Sequence, residues 1–165
     1  GLVGSEMCIR DSCIGGATSL VSACDIRLAT KDAKFSIGET KLGLVADVGV
    51  IQRMPKIVSS GDMNELALTG RIFDGEHAER IRFVNKAYEN SDELFKAGEK
   101  LAYEISFNSK RIVQATKQAL EKSSNLTVDQ GLEYAKLWST SFLVSEDLQE
   151  GVMAFLEKRD PKFNE

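Results

Sequence analysis

Cys13-Ile-Gly-Gly-Ala-Thr-Ser-Leu-Val-Ser-Ala-Cys-Asp-Ile-Arg-Leu-Ala29 places a glycine pair ahead of a run of small residues, then closes on an apolar segment. The pair Gly15-Gly16 predicts a tight turn with close packing. Ala17 to Ala23 predicts a buried helix, since its side chains are small and apolar. Asp25-Ile-Arg-Leu-Ala29 reads as a strand. Further along, Ala33-Lys-Phe-Ser-Ile37 alternates and predicts a second short strand. Asp47 is placed to cap a helix through Val50 to Met54, with Pro55 ending or kinking it. Ser59 opens the next helix and Gly70 stops it. Arg71-Ile-Phe73 and Phe83-Val-Asn-Lys-Ala87 are short strand candidates on either side of a Gly75–Arg80 helix.

After about Asn90 the pattern becomes wholly helical. One helix runs from Ser91 through Phe107, with Leu94, Ala97, Leu101, Ala102 and Ile105 on one face. A second starts at Ser109 and turns Ile112, Val113, Thr116 and Leu120 inward. Thr127-Val-Asp-Gln130 resembles a capping box ahead of a helix through Phe142. Ser145 opens the last helix, which ends near Lys158. The stripe of Leu132, Tyr134, Ala135 and Trp138 reads as core or interface, and part of these apolar faces is available to other subunits. No internal repeat is visible in the residues. The chain is therefore α/β in its first half and helical in its second. Residues 1–12 fail to lead smoothly into Cys13 and read as a non-native or scar segment. Residues 13–90 form a partial α/β core and 91–165 a C-terminal helical region.

Composition narrows the chemistry. The 165 residues are 42% hydrophobic and 28% charged, as in an ordinary globular domain. A net charge of -4 gives no electrostatic case for nucleic acid or an anionic membrane. No apolar run is long enough to span a bilayer. Cys8, Cys13 and Cys24 lack metal-site or disulfide spacing. The single histidine, His77, lies in a polar segment and reads as a surface residue, which disfavours Ser-His or Cys-His nucleophiles. Arg53 is expected to pair with an acid near a helix end.

Glu39 and Asp47 stand in an apolar, glycine-punctuated stretch, Phe35 to Gly49. Carboxyls in such surroundings resist ionisation and can give or take a proton near neutral pH. Gly38 and Gly43 break the spacing, so the two acids reach a shared pocket from a loop and a helix start. The alternative is a solvated loop acid and a helix N-cap. The residues alone leave both readings open.

The run from Cys13 to Ala29, Ala33-Lys-Phe-Ser36, Gly43-Leu-Val-Ala-Asp-Val-Gly-Val-Ile-Gln-Arg-Met-Pro55, Leu66-Ala-Leu-Thr-Gly-Arg71 and Phe155-Leu-Glu-Lys-Arg159 occur in the order found in the crotonase (enoyl-CoA hydratase/isomerase) superfamily. The chain resembles the C-terminal part of a member, from about Cys13 to Phe163. The resemblance implies a partial ββα spiral followed by a helical trimerisation region, and a homotrimer or hexamer. It implies an acyl-CoA thioester as substrate, with no further cofactor and no metal. Gly16 would supply one backbone N–H to an oxyanion, because glycine admits close approach and a helix start adds positive potential. Phe155 and Lys158 would belong to the CoA-binding corner.

Within the family, hydratases resemble one another in carrying two glutamates. Here the first position is Ser19, which cannot act as a carboxylate base, and the second is Glu39. Ser19 then joins Gly16 in the oxyanion and substrate-binding set. An acid at Asp47, where hydratases commonly have glycine, resembles the dienoyl-CoA isomerases, although those usually have aspartate at the place of Ser19. The resemblance assigns Glu39 to C2 and Asp47 to C6 of a 3,5-dienoyl-CoA in unsaturated fatty-acid β-oxidation. An enoyl-CoA hydratase or enoyl-CoA isomerase is the alternative enzyme, and a catalytically incompetent fragment or structural subunit is the alternative from another class. A mitochondrial or peroxisomal setting is implied, with a slight lean to the mitochondrion.

Overall fold

The computed structural model describes residues 6–163. It separates into two compact units, 5–102 and 103–165. The division between the units falls inside the helix Ser91–Ser106. The reason is packing: Leu94 and Gly98 on the first turns of that helix are buried in the α/β unit. A β-carbon on Gly98 would lie 2.8 Å from Cys8 Sγ and 4.0 Å from Leu28 Cδ1.

The α/β unit winds strand, strand, helix, and then repeats. Strands β1 (Glu6–Ile9) and β2 (Ser12–Ile14) precede helix α1 (Gly16–Val21), and β3 (Ile26–Thr30) and β4 (Lys34–Ser36) follow it. The first strand of each turn joins one sheet and the second joins another. β1 pairs in parallel with β3, Glu6 opposite Ile26, and β2 pairs in parallel with β4, Ser12 opposite Lys34. After α2 (Val50–Arg53) and α3 (Ser60–Thr69), β5 (Phe73–Asp74) adds antiparallel to β4. Helix α4 (Gly75–Arg80) leads to β6 (Lys86–Tyr88), which closes the first sheet in the order β1-β3-β6. The repeat is one of backbone path, so residue identities carry no trace of it.

β1 and the start of β2 come from the segment set outside the fold by its sequence. Residues 6–9 and 12 nonetheless pair within the two sheets. Glu6-Met-Cys-Ile pairs with Ile26 to Ala29 of β3, and Ile9 is buried. Residues 1–5 lie outside the described part.

The core lies between the sheets and α2–α4. Phe35, Phe73 and Phe83 form an aromatic cluster, with Phe35 and Phe73 stacked at 5.5 Å and Phe83 edge-on to both. Val50, Met54 and Leu66 pack into the same cluster of buried residues. The buried Arg27 ties β3 to the chain ahead of β6. Its Nε donates to the Phe83 carbonyl at 2.5 Å, Nη1 donates to the Cys24 carbonyl, and the guanidinium lies 5.6 Å from the Phe83 ring centroid. α1 is only partly buried: Thr18, Ser19 and Val21 face inward while Leu20 is exposed.

The second unit holds the end of α5 (Ser91–Ser106), then α6 (Lys110–Ser123), α7 (Val128–Phe142) and α8 (Glu146–Glu157). Caps fall where the sequence places them. Ser109, Thr127 and Ser145 each accept a backbone N–H through the side chain, and Thr127 with Gln130 forms the full capping box. The inward face of α6 differs from expectation. Ala115 is the buried residue, whereas Thr116 and Leu120 are exposed. The apolar stripes exceed what this unit covers by itself, so Leu120, Leu132 and Leu137 face outward. Among the described residues, no helix is long and apolar enough to cross a membrane.

Candidate functional site

The Gly15-Gly16 turn links β2 to α1. Gly15 adopts φ 59° and ψ -123°, a conformation that a side chain resists. Its N–H donates to the Ser36 carbonyl at 2.8 Å, so the turn is pinned to the end of β4. Thr18 Oγ1 reinforces the join, lying 2.5 Å from the Cys13 carbonyl oxygen and 3.0 Å from that of Ser36. Gly16 is exposed, and a β-carbon there would meet no atom within 4 Å. Its N–H sits in the first turn of α1, where backbone donors lack intrahelical acceptors.

Glu39 arrives from the other side. It begins a single 3₁₀ turn, Glu39–Leu42, directly after β4 and Gly38. Gly43 ends the turn at φ 74°, and the Leu44 N–H donates to the Glu39 carbonyl at 3.0 Å. Two bonds anchor this corner to α3: Thr40 Oγ1 donates to the Ala67 carbonyl at 2.7 Å, and Ser36 Oγ donates to the Gly70 carbonyl at 3.0 Å. The glutamate is half-buried. Its Oε1 lies 3.4 Å from the place a β-carbon on Gly15 would take. Its Oε2 is buried and has no hydrogen-bond partner among the described residues. Ser19 Oγ, on the fully buried Ser19, is likewise unpartnered among the described residues. Native proteins rarely leave such atoms unsatisfied, and they cluster where a ligand completes the set.

Asp47 is placed differently from its expected surroundings. It is exposed, and it does not cap α2. Gly49 holds the N-cap position at φ 102°, and no side chain caps that end. Arg53 folds back over Gly49 to donate from Nη1 to the Val48 carbonyl at 3.1 Å. A β-carbon on Gly49 would lie within 2.2 Å of that nitrogen. Arg53 thus meets a carbonyl rather than the expected acid. The residues beside Asp47 are apolar and exposed, with Leu44 at 61%, Val45 at 81% and Val48 at 57%.

The remaining ionisable candidates read as structural. Burial pushes the Cys13 thiol up, which makes it an inert core residue. His77 is half-buried rather than at the open surface. Its Nδ1 lies 2.6 Å from Arg80 Nη2, and burial together with Arg80 and Arg71 holds the imidazole below its usual range.

In the helical unit, Phe155 is 83% exposed near the end of α8 and borders a hollow of about 550 Å³ with Ile112, Phe142, Leu148, Val152 and Phe163. Lys158 follows α8 at φ 54°, exposed, and without a partner for its ammonium among the described residues.

Sequence reasoning singled out Gly16, Ser19, Glu39 and Asp47 as candidates, and of the two acids the structure brings Glu39 beside the Gly15 turn. It missed Thr18 and Ser36, whose bonds fix that turn. Their one sequence signal was hydroxyls at otherwise apolar positions of a helix and a strand.

The profile of the Enoyl-CoA hydratase/isomerase family matches residues 8–165. The chain belongs to the enoyl-CoA hydratase/isomerase family. It is 49% identical over 155 residues to the mitochondrial Delta(3,5)-Delta(2,4)-dienoyl-CoA isomerase of Dictyostelium discoideum, covering 94% of this chain and 53% of that protein. It is 42% identical to the peroxisomal Delta(3,5)-Delta(2,4)-dienoyl-CoA isomerase of Arabidopsis thaliana, covering 94% of this chain and 56% of that protein. The crystal structure of enoyl-CoA hydratase EchA1 from Mycobacterium marinum superposes with a TM-score of 0.87 at 33% identity, covering 93% of this chain and 60% of that one. The crotonase-like fold expected from the sequence is therefore present. The chain spans about half the length of the curated relatives it matches.

Proposed function

We propose that the full-length protein containing this chain isomerises 3,5-dienoyl-CoA to 2,4-dienoyl-CoA by two-carboxylate proton transfer. The observation that carries this reading is the Glu39 carboxylate against the Gly15 backbone, with Oε2 buried and unpartnered. The dienoyl-CoA isomerase relatives support the choice of substrate.

The chemistry needs a base at C2. Glu39 accepts the C2 proton, and the C–H electron pair enters a dienolate that extends from the thioester oxygen to C6. The Gly16 N–H donates to that oxygen as its charge grows. Asp47, protonated, delivers a proton to C6, leaving double bonds at C2 and C4. The two acids then exchange protonation states, and a return proton resets them for the next turnover. An acyl chain laid over the exposed Leu44, Val45 and Val48 would shield the Asp47 end of the site from water. Ser19 in place of a second glutamate counts against hydration of a double bond, since water addition lacks its second carboxylate. Phe155 and Lys158 are assigned to the CoA moiety, the lysine as a point charge for a phosphate. The reading includes assembly as a trimer or hexamer and a mitochondrial or peroxisomal setting, as in the names of the two relatives.

The test is to incubate the full-length protein with 3,5-dienoyl-CoA and, separately, with 2-enoyl-CoA. Growth of conjugated-diene absorbance from the first supports isomerisation. Hydration of the second alone overturns it. Asp47→Asn is expected to lower diene shifting by about 10²–10⁴-fold, the usual worth of a positioned acid. An unchanged rate removes Asp47 from the mechanism.

A further inference from the structure

Lysine is an unexpected residue at position 158. The position closes α8 in the left-handed region at φ 54°, where glycine is the usual occupant because it has no β-carbon. The Arg159 N–H reaches back to the Ala154 carbonyl at 3.1 Å, and the Lys158 N–H to that of Phe155 at 3.3 Å, so the reversal is a formed helix stop. A side chain held in a disfavoured backbone region points to a use for that side chain.

The residue that follows holds it there. Arg159 Nη1 and Nη2 grip Glu150 Oε1 and Oε2 at 2.6 and 3.0 Å, a two-pronged pair reaching back two turns along α8. Arg159 Nε donates to Glu157 Oε2 at 2.6 Å. The Lys162 N–H donates to Glu150 Oε1 at 2.6 Å, so the same carboxylate also fastens the chain beyond the turn. Four hydrogen bonds to three carboxylate oxygens thus lock residues 159–162 onto the flank of α8. Lys158, between the helix and the lock, keeps its own ammonium free of any partner among the described residues.

We propose that the Glu150–Arg159 clasp is a positioning device that fixes the α8 stop so that Lys158 projects toward a phosphate of the CoA nucleotide. The proposal rests on the assignment of Phe155 and Lys158 to the CoA moiety. Glu150 and Arg159 act through Lys158 and touch no substrate. The clasp replaces a flexible lysine on a frayed helix end with one on a fixed backbone, so less freedom is lost when the phosphate binds.

The full-length protein tests this with two thioesters of the same acyl chain, one of CoA and one of pantetheine, which lacks the nucleotide phosphates. Glu150→Gln and Arg159→Lys are expected to raise KM for the CoA thioester about tenfold, the scale of one charged hydrogen bond, with kcat held. KM for the pantetheine thioester should stay where it is. Lys158→Gly should raise the melting temperature by relieving the backbone and raise KM for the CoA thioester alone. If Lys158→Gly leaves that KM unchanged, the assignment of this corner to CoA fails. If it raises KM while Glu150→Gln and Arg159→Lys do not, the assignment stands and the clasp proposal is overturned. A loss of kcat on both thioesters with the clasp variants shows a merely structural role and also overturns it.

Discussion

Glu39 stands over Gly15, with its Oε1 3.4 Å from the position a β-carbon on residue 15 would occupy. Glu39 belongs to the 3₁₀ turn after β4 and Gly15 to the turn after β2. The parallel pairing of those strands, Ile14 opposite Ser36, is what sets the two ends side by side. Gly15→Ala introduces a side chain at φ 59° and sets its methyl in contact with the carboxylate. We expect about 1–3 kcal/mol of lost stability from the backbone alone, read from a denaturant midpoint, and a fall in kcat/KM of more than tenfold. Normal kinetics in this variant would show that the contact with Glu39 is incidental.

Ser19 buries a hydroxyl with no hydrogen-bond partner among the described residues. An unsatisfied buried group lowers stability, and alanine is the better helix former. Ser19→Ala should therefore raise stability by about 1 kcal/mol. If the hydroxyl meets the substrate, the same variant should lose catalytic efficiency while melting higher. Lower stability would show that Ser19 has a structural partner in the full-length protein.

Gly75 begins α4 against the end of β3. A β-carbon there would come within 2.0 Å of the Thr30 carbonyl oxygen and 3.2 Å of the Lys31 α-carbon. Both neighbours are backbone and have no rotamer to change. Gly75→Ala should cost about 3 kcal/mol, the upper end of overpacking. Circular dichroism through a thermal ramp checks it, and a melting point equal to that of the parent would contradict the packing of α4 on β3.

The clasp also makes a pH prediction. Arg159, the backbone N–H of Lys162 and the nearby Lys162 charge hold the Glu150 carboxyl down at about 2, against an ordinary 4.5. A carboxyl depressed in the folded state binds protons less tightly than in the unfolded one. Its stabilising contribution is therefore complete above 4.5 and is lost as pH falls through about 2. Carbon-detected NMR of the Glu150 carboxyl should show that midpoint, and Arg159→Leu should return it toward 4.5. A midpoint of 4.5 in the parent protein would mean that the clasp is not formed in solution.

Local chemistry carried much of this molecule into view before any coordinates. Ser59, Ser109, Thr127 and Ser145 name helix starts because their side chains satisfy the first free amides, and Gly70 names a stop because it tolerates φ 57°. The glycine pair and the two acids stood out for the same reason: their residue types are unusual in apolar surroundings. Residues 6–9, the face of α6 and the cap of α2 were not legible. β1 is a strand because β3 accepts it, Leu120 is exposed because its own unit offers it no cover, and the α2 cap falls at Gly49, where Arg53 leaves no room for a side chain.

The sequence by itself determined where most helices begin and end and which acids stand out in apolar surroundings, because both depend on groups a few bonds apart. Only the tertiary structure decided that Glu39 meets the Gly15 turn, that Asp47 lies open among exposed apolar side chains, and that Arg159 reaches Glu150. Those relations depend on strand register and on which atoms fill a given space, and such long-range geometry leaves no periodic mark on the chain.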